Sequence, residues 1–314
     1  MVKIDRECYY DAILTTTAWI KNINTLRGME KTYTAEFEEL WKETFKHPLF
    51  LNNLIVNSPW FNYYAESYIY FREYINGNST KAKLDALYQS RQEKIYHINK
   101  TNEYLPSELR EHYFANYLYQ ESFQKKYEKE LIDLFSVFKI RYPQSGFSKH
   151  ISPLIDEIIR FHKVAASDFN KNIQFIKIDQ KMITLSDVAK TFKEGKIYID
   201  VWASWCGPCK REFEHKKELE NLLQKNNIHL LYISIDREQD SVQMNNMIKF
   251  YNLEGYHLHA NKELIELLRK LFGLNDSIRI PWYILTDNEG NMLKKHASSP
   301  SQIKSLELEI KESK

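Results

Sequence analysis

The sequence predicts two domains of different class: an all-α domain, then an α/β domain whose mixed central sheet is flanked by helices. Three observations predict this. At 314 residues the chain exceeds one typical domain. Sixteen of its 21 Tyr precede residue 166, so the two halves differ in composition. After Ala165-Ala166-Ser167 the hydrophobic pattern changes from helical spacing to short β-branched runs alternating with helical stretches. The expected domains are 1–166 and 167–314.

Composition excludes several classes. Apolar residues make up 43% and charged residues 27%, so each half can bury a core and neither reads as disordered. Eight Gly and eight Pro are too few for a turn-rich all-β design. With 44 basic and 42 acidic residues the net charge is +2, which gives no nucleic-acid footprint. No run approaches the roughly 18 apolar residues of a membrane span. Three cysteines cannot form a disulfide framework. The opening, Met1 to Cys8, has no apolar stretch of the signal-peptide kind, and Arg6-Glu7-Cys8 lacks the small apolar residues of a lipoprotein cleavage site. A cytosolic protein and a trimmed exported one both fit it.

Within the first half, Ser58-Pro59 reads as an N-cap and N1 proline opening a helix that runs to Asn76-Gly77. Ser79-Thr80 caps the next, through about Asn99, and Pro106-Ser107 opens another. Leu131, Leu134, Phe135 and Phe138 make an amphipathic stripe that Tyr142-Pro143 ends. Ser152-Pro153 starts a last helix through about Val164. The aromatics of Trp60–Tyr64 and Tyr113–Tyr119 are read most simply as core with polar tips reaching solvent, and otherwise as a groove recruiting a client or as a dimer surface.

In the second half the strands expected are Phe175–Ile178, Ile197–Trp202, Leu230–Ile235, a short Tyr256–His259 and Tyr283–Thr286. Helices are expected over about 207–225, 239–252 and 261–272. Asp287 to Asn291 turns a hairpin that returns through Met292–His296, and a polar-faced helix closes the chain from about Ser299.

The informative segment is Ile197 to Lys210, where a buried-looking strand runs into Cys206-Gly207-Pro208-Cys209 and a charged helix follows. A helix start offers unpaired N–H groups and partial positive charge, which lower a thiol's pKa from about 8.5 toward 7. The three-residue spacing lets a second sulfur attack a mixed disulfide formed at the first. Cys206 is therefore the expected nucleophile and Cys209 the resolving thiol. Pro208 fixes the backbone between them, and Trp205 is expected to shield one side. Half a zinc site, a structural disulfide and an inactive descendant are the alternatives. Zinc lacks a second ligand pair, and a disulfide closing so small a loop adds little stability. Peroxidase chemistry normally needs a lone cysteine after a Thr-rich turn, unlike Cys206. His257 and His259 share a strand face but have no evident third metal ligand, so no metal site is expected.

Residues 167–314 resemble a thioredoxin-like fold, specifically the TlpA-like family of exported bacterial disulfide reductases. The resemblance rests on Ile183–Val188, Tyr198–Glu212 with its Trp-Cys-Gly-Pro-Cys, Leu231–Asp236 and Arg279–Leu285. It covers a little under half the chain. It implies that Asp200 is a buried acid taking the resolving thiol's proton. Thioredoxins often pair that acid with a lysine on the next strand, where this chain has Tyr232. It also implies a cis bond at Ile280-Pro281, leaving Ile280 to pair with an extended substrate peptide. Trp205, Gly207, Pro208, Ile280 and Pro281 are thus the expected substrate-contacting set.

The function expected from this resemblance is reduction of disulfides in exported proteins. It needs no cofactor beyond the Cys206–Cys209 pair. Its partners would be disulfide-bearing client proteins and a thiol electron donor, in keeping with a membrane-bound one, and its location the periplasm or cell envelope. A disulfide isomerase, or an envelope adaptor that binds clients through the helical domain, is the alternative.

Overall fold

The computed structural model describes residues 2–26, 35–75, 86, 93–177, 184–273 and 278–313. The chain divides into two compact units, Met1–Ile159 and Arg160–Lys314. Among the described residues no helix is long and apolar enough to cross a membrane.

The first unit is helical. Its helices are α1 (Val2–Leu26), α2 (Ala35–Thr44), α3 (Phe61–Tyr70), α4 (Glu93–Tyr104), α5 (Ser107–Phe123), α6 (Glu130–Arg141) and the greater part of α7 (Ser148–Ala165). Aromatic side chains build its core, as the tyrosine count suggests. Trp41, Tyr64, Tyr113, Phe114 and Phe138 are buried. Phe45 meets the rings of Tyr64 and Tyr68 edge-on, with centroids 5.4 and 5.3 Å away. Buried rings keep their polar ends satisfied: the Tyr64 hydroxyl accepts the Leu49 N–H at 2.9 Å, and Tyr113 Oη lies 2.6 Å from His97 Nε2. The buried carboxylate of Glu73 accepts the hydroxyls of Tyr96 and Tyr104 and pairs with Lys100 at 3.1 Å. Tyr63 and Tyr119 face solvent, so these aromatic segments are core on one side only.

Two helix starts differ from expectation. Helix α3 opens at Phe61, because the Ser58 hydroxyl is used in a turn: it accepts the Trp60 N–H at 3.2 Å and donates to Asp5 at 2.7 Å. Helix α7 starts a turn before Ser152-Pro153. The N–H groups of His150 and Ile151 both bond the Phe147 carbonyl, so the helix nucleates there and carries Pro153 inside it. A proline there gives up one backbone bond, and the buried stripe Ile151, Ile155, Ile158 and Phe161 holds the turn in place. The expected Ser79-Thr80 cap and the Asn76-Gly77 terminus lie outside the described residues.

The second unit has a sheet of order β1-β4-β3-β2-β5-β6, built from β1 (Ile173–Phe175), β2 (Lys196–Trp202), β3 (Ile228–Ser234), β4 (Gly255–His259), β5 (Trp282–Thr286) and β6 (Met292–Lys294). The first four in that order run parallel, and β5 and β6 are antiparallel to their neighbours. The first strand lies earlier than the expected Phe175–Ile178: it starts at Ile173 and ends at Phe175, while Ile178 lies outside the described residues. Central β2 is buried on both faces, which accounts for its continuous apolar run. Alternation sends Ile197, Ile199 and Val201 into one core with α8 (Leu185–Ala189) and α12 (Lys262–Phe272), where Leu264 and Leu268 are fully buried.

Tyr198, Asp200 and Trp202 therefore point to the opposite face. That side is served by α9 (Gly207–Glu212), α10 (Lys216–Lys225), α11 (Ser241–Tyr251) and the closing α13 (Ile303–Glu312). The helix expected over 207–225 is broken by a 3-10 turn at Phe213–His215, which turns Phe213 edge-on to Trp202 at 5.3 Å.

Candidate active site

Strand β2 ends at Trp202, and the chain turns through Ala203-Ser204-Trp205 to place Cys206 at the N-cap of α9. The Cys206 N–H closes that turn on the Ala203 carbonyl at 3.0 Å. Pro208 sits in the first turn, where a proline's missing donor costs nothing. Cys206 and Cys209 form a disulfide, with Cα atoms 5.4 Å apart, and the Cys209 N–H donates to Cys206 Sγ at 3.1 Å. A backbone donor is thus already aimed at the sulfur that would carry charge after reduction.

Both cysteines are buried: Cys206 is 3% exposed and Cys209 fully buried. Trp205, expected to cover the pair, is 60% exposed and presents a broad apolar face to solvent next to Cys206. Gly207 leaves room for the Arg211 guanidinium, one nitrogen of which lies 4.0 Å from where a Cβ would stand.

Asp200 lies on β2 six residues before Cys206 and is 1% exposed. Its register neighbours are Tyr232 on β3 and Tyr283 on β5. Oδ1 has no hydrogen-bond partner among the described residues. Burial first, and the nearby Glu212 carboxylate second, push its acid range well above that of an ordinary aspartate. Tyr232, in the place of the usual lysine, brings no positive charge. Its ring instead stacks on His257 at 4.9 Å.

The Ile280-Pro281 bond is cis, as the resemblance implied. His257 and His259 are committed within the fold: His257 Nε2 donates to the Leu253 carbonyl at 2.8 Å and His259 Nε2 to the Asp236 carbonyl at 2.7 Å. Among the described residues no cluster of three or more His, Cys, Asp or Glu could hold a metal.

Sequence reasoning gave no role to Asp236, which the structure ties to the redox loop. Its carboxylate accepts the Ser204 N–H, the Ser204 hydroxyl and the Ser234 hydroxyl, the last two at 2.7 Å. The signal was the Ser-Ile-Asp end of β3, but its partner is 32 residues away and no periodicity reveals it.

Comparison with known proteins finds relatives of the C-terminal half of the chain. The family described as Redoxin matches residues 170–308. The thiol-disulfide oxidoreductase ResA of Bacillus thuringiensis subsp. konkukian is 24% identical over 124 residues, 39% of this chain and 64% of that protein. Thioredoxin 1 of Chlorobaculum tepidum is 34% identical over 58 residues, 18% of this chain and 55% of that protein. A Bacteroides vulgatus protein solved in solution and described as a thiol-disulfide oxidoreductase aligns with 30% identity over 45% of this chain and 86% of its own, with a TM-score of 0.32. The chain thus spans somewhat less than two thirds of the ResA it matches.

Proposed function

Since the C-terminal half of this chain is a redoxin-family domain with a thioredoxin-like fold, distantly related to ResA, we propose that the protein is a thiol–disulfide oxidoreductase that reduces disulfides of exported client proteins. The observation that carries this reading is the Cys206–Cys209 bond at a helix mouth, with the Cys209 N–H on Cys206 Sγ and the buried Asp200 carboxyl on the strand leading into it.

The reaction starts from the dithiol. Cys206, as thiolate, attacks one sulfur of a client disulfide, forming a mixed disulfide and expelling the client's other sulfur as thiolate. Cys209 then loses its proton to Asp200 and attacks Cys206 Sγ. The client leaves with both sulfurs reduced, and the Cys206–Cys209 bond holds the two electrons' worth of oxidation. A donor dithiol returns the pair to the reduced state.

Asp200 suits the proton-accepting role because burial raises its acid range well above that of an ordinary aspartate, so its carboxylate takes up a proton more readily. Trp205, Gly207, Pro208 and the Ile280-Pro281 turn form the contact surface for the client, whose extended backbone pairs with Ile280. The oxidising cell envelope is the compartment where such a reductase has substrates.

The test is the equilibrium potential of the pair against glutathione. A value near the thioredoxin end, about −270 mV, supports reduction, whereas about −120 to −180 mV moves the assignment to isomerase or oxidase. The absence of a reversible couple overturns the enzyme reading.

A further inference from the structure

The ends of β2, β3 and β4 meet behind the redox loop, and Asp236 is where they are joined. The residue is 2% exposed, as is Ser234, and Ser204 is 4% exposed. Both carboxylate oxygens face the Ser204 N–H, at 3.1 and 2.9 Å, while Oδ1 also accepts the Ser204 hydroxyl and Oδ2 the Ser234 hydroxyl. The Asp236 N–H returns to Ser234 Oγ at 3.1 Å, and its carbonyl accepts His259 Nε2. Among the described residues no lysine or arginine pairs with this carboxylate. Hydrogen-bond donors alone hold it in place.

Ser204 is two residues from Cys206, so at most about 7.6 Å separates their Cα atoms. A thiolate forming at Cys206 therefore lies only two residues along the chain from the serine that this buried carboxylate holds. Both residues are buried, and like charges brought close in a protein interior disfavour each other. The other ionisable groups near the pair are Asp200 on β2, Lys210, Arg211 and Glu212 on α9, and His259 and Glu238 around Asp236 itself. None of these bonds the loop immediately ahead of Cys206 as Asp236 does.

Resting on the oxidoreductase reading above, we infer that Asp236 is a positioning residue that fixes the Cys206 turn through Ser204, and that its charge keeps the pair reducing. The redox argument is one of sign. Stabilising the reduced, thiolate-bearing form makes a pair oxidising. A fixed negative charge opposes that form and makes it a better reductant.

The experiment uses the full chain with Asp236→Asn, which keeps the size and one acceptor but removes the charge. Two quantities are read: the equilibrium with glutathione, and the pH midpoint of iodoacetamide alkylation of Cys206 in the reduced protein. The expected result is a shift of at least fivefold toward the dithiol, about 20 mV less negative at 29.6 mV per decade, with a lower alkylation midpoint. Asp236→Glu retains the charge and restores both values. Ser204→Ala tests positioning separately: the rate of insulin disulfide reduction falls at least fivefold while the potential stays within twofold.

Asp236→Asn that lowers the melting temperature but leaves potential and midpoint unchanged overturns the charge assignment, and an unchanged rate in Ser204→Ala overturns the positioning. If Asp236→Asn does not fold, Asp236→Ser, which keeps a hydroxyl for the same partners, takes its place. Failure of both to fold overturns the proposal in favour of a structural role. A wild-type protein with no reversible couple is a different result, which rejects the enzyme reading itself.

Discussion

Glu212 and Ser301, 89 residues apart, are joined by two hydrogen bonds: Glu212 Oε2 accepts the Ser301 N–H and Oε1 its hydroxyl, both at 2.9 Å. The end of the redox helix is thereby tied to the turn that opens the closing helix α13. The same carboxylate helps to push the acid range of Asp200 upward. Glu212→Gln should keep part of the tie and remove the charge, moving the pH profile of the resolving step to lower pH. Glu212→Ala should in addition cost about 1 kcal/mol of stability. Single-turnover decay of a Cys206 mixed disulfide across pH checks the first, and urea unfolding the second.

Asp200 should oppose stability as pH rises. Its acid range is raised in the folded state, so its contribution is fully favourable below the ordinary aspartate range and is lost as pH climbs through the raised value. Asp200→Asn should therefore raise the melting temperature of the second unit at alkaline pH more than at pH 4. It should also slow the resolving step on the order of a hundredfold. A variant equally stable at both pH values, with normal kinetics, would refute the assignment.

Glu66 on α3 gives the first unit its own pH dependence. Burial, then the nearby Glu121 carboxylate, push it up to about 7, with Lys94 opposing. Lys94 is itself engaged by Glu121 at 2.7 Å and Glu128 at 3.0 Å. The stabilising protonated form is complete below about 4.5 and is lost as pH passes through about 7. Glu66→Gln should remove that slope, gaining on the order of 2 kcal/mol at pH 8 relative to wild type. Thermal melts of the first unit from pH 5 to 8 give the comparison.

Gly290 tests the packing of the hairpin turn. Its φ is +88°, and an added Cβ would stand 2.5 Å from Ser186 Cα and 2.6 Å from Ser186 N on α8. Backbone cannot move aside as a flexible side-chain tip can. Gly290→Ala should destabilise the second unit by about 3 kcal/mol, whereas Gly146→Ala, with nothing within 4 Å, should be close to neutral. Denaturant midpoints of the two variants decide it.

The central strands β2, β3 and β5 were legible because each is a β-branched or aromatic run bounded by a change of pattern, and each lies within two residues of its expected ends. The Cys206–Cys209 pairing was legible because a CxxC after a strand carries its chemistry in its spacing, whereas the burial of Asp200 was implied by the family resemblance alone. Proline and serine misled where tertiary packing prevailed over local preference: Pro153 sits inside a helix held by its buried stripe, and Ser58 serves a turn bonded to Asp5. Asp236 could not be read because its role comes from a contact between two strand ends.

Cys8, buried in α1, is the remaining cysteine, and burial, its largest influence, pushes its thiol up to about 11. At neutral pH only about one molecule in ten thousand then carries the thiolate there. A third cysteine able to exchange would divert electrons into mispaired bonds or join two copies of the chain. Held as an unreactive thiol, it leaves the molecule with a two-electron capacity, so a reagent added to the native reduced protein counts two sulfurs and unfolding exposes the third.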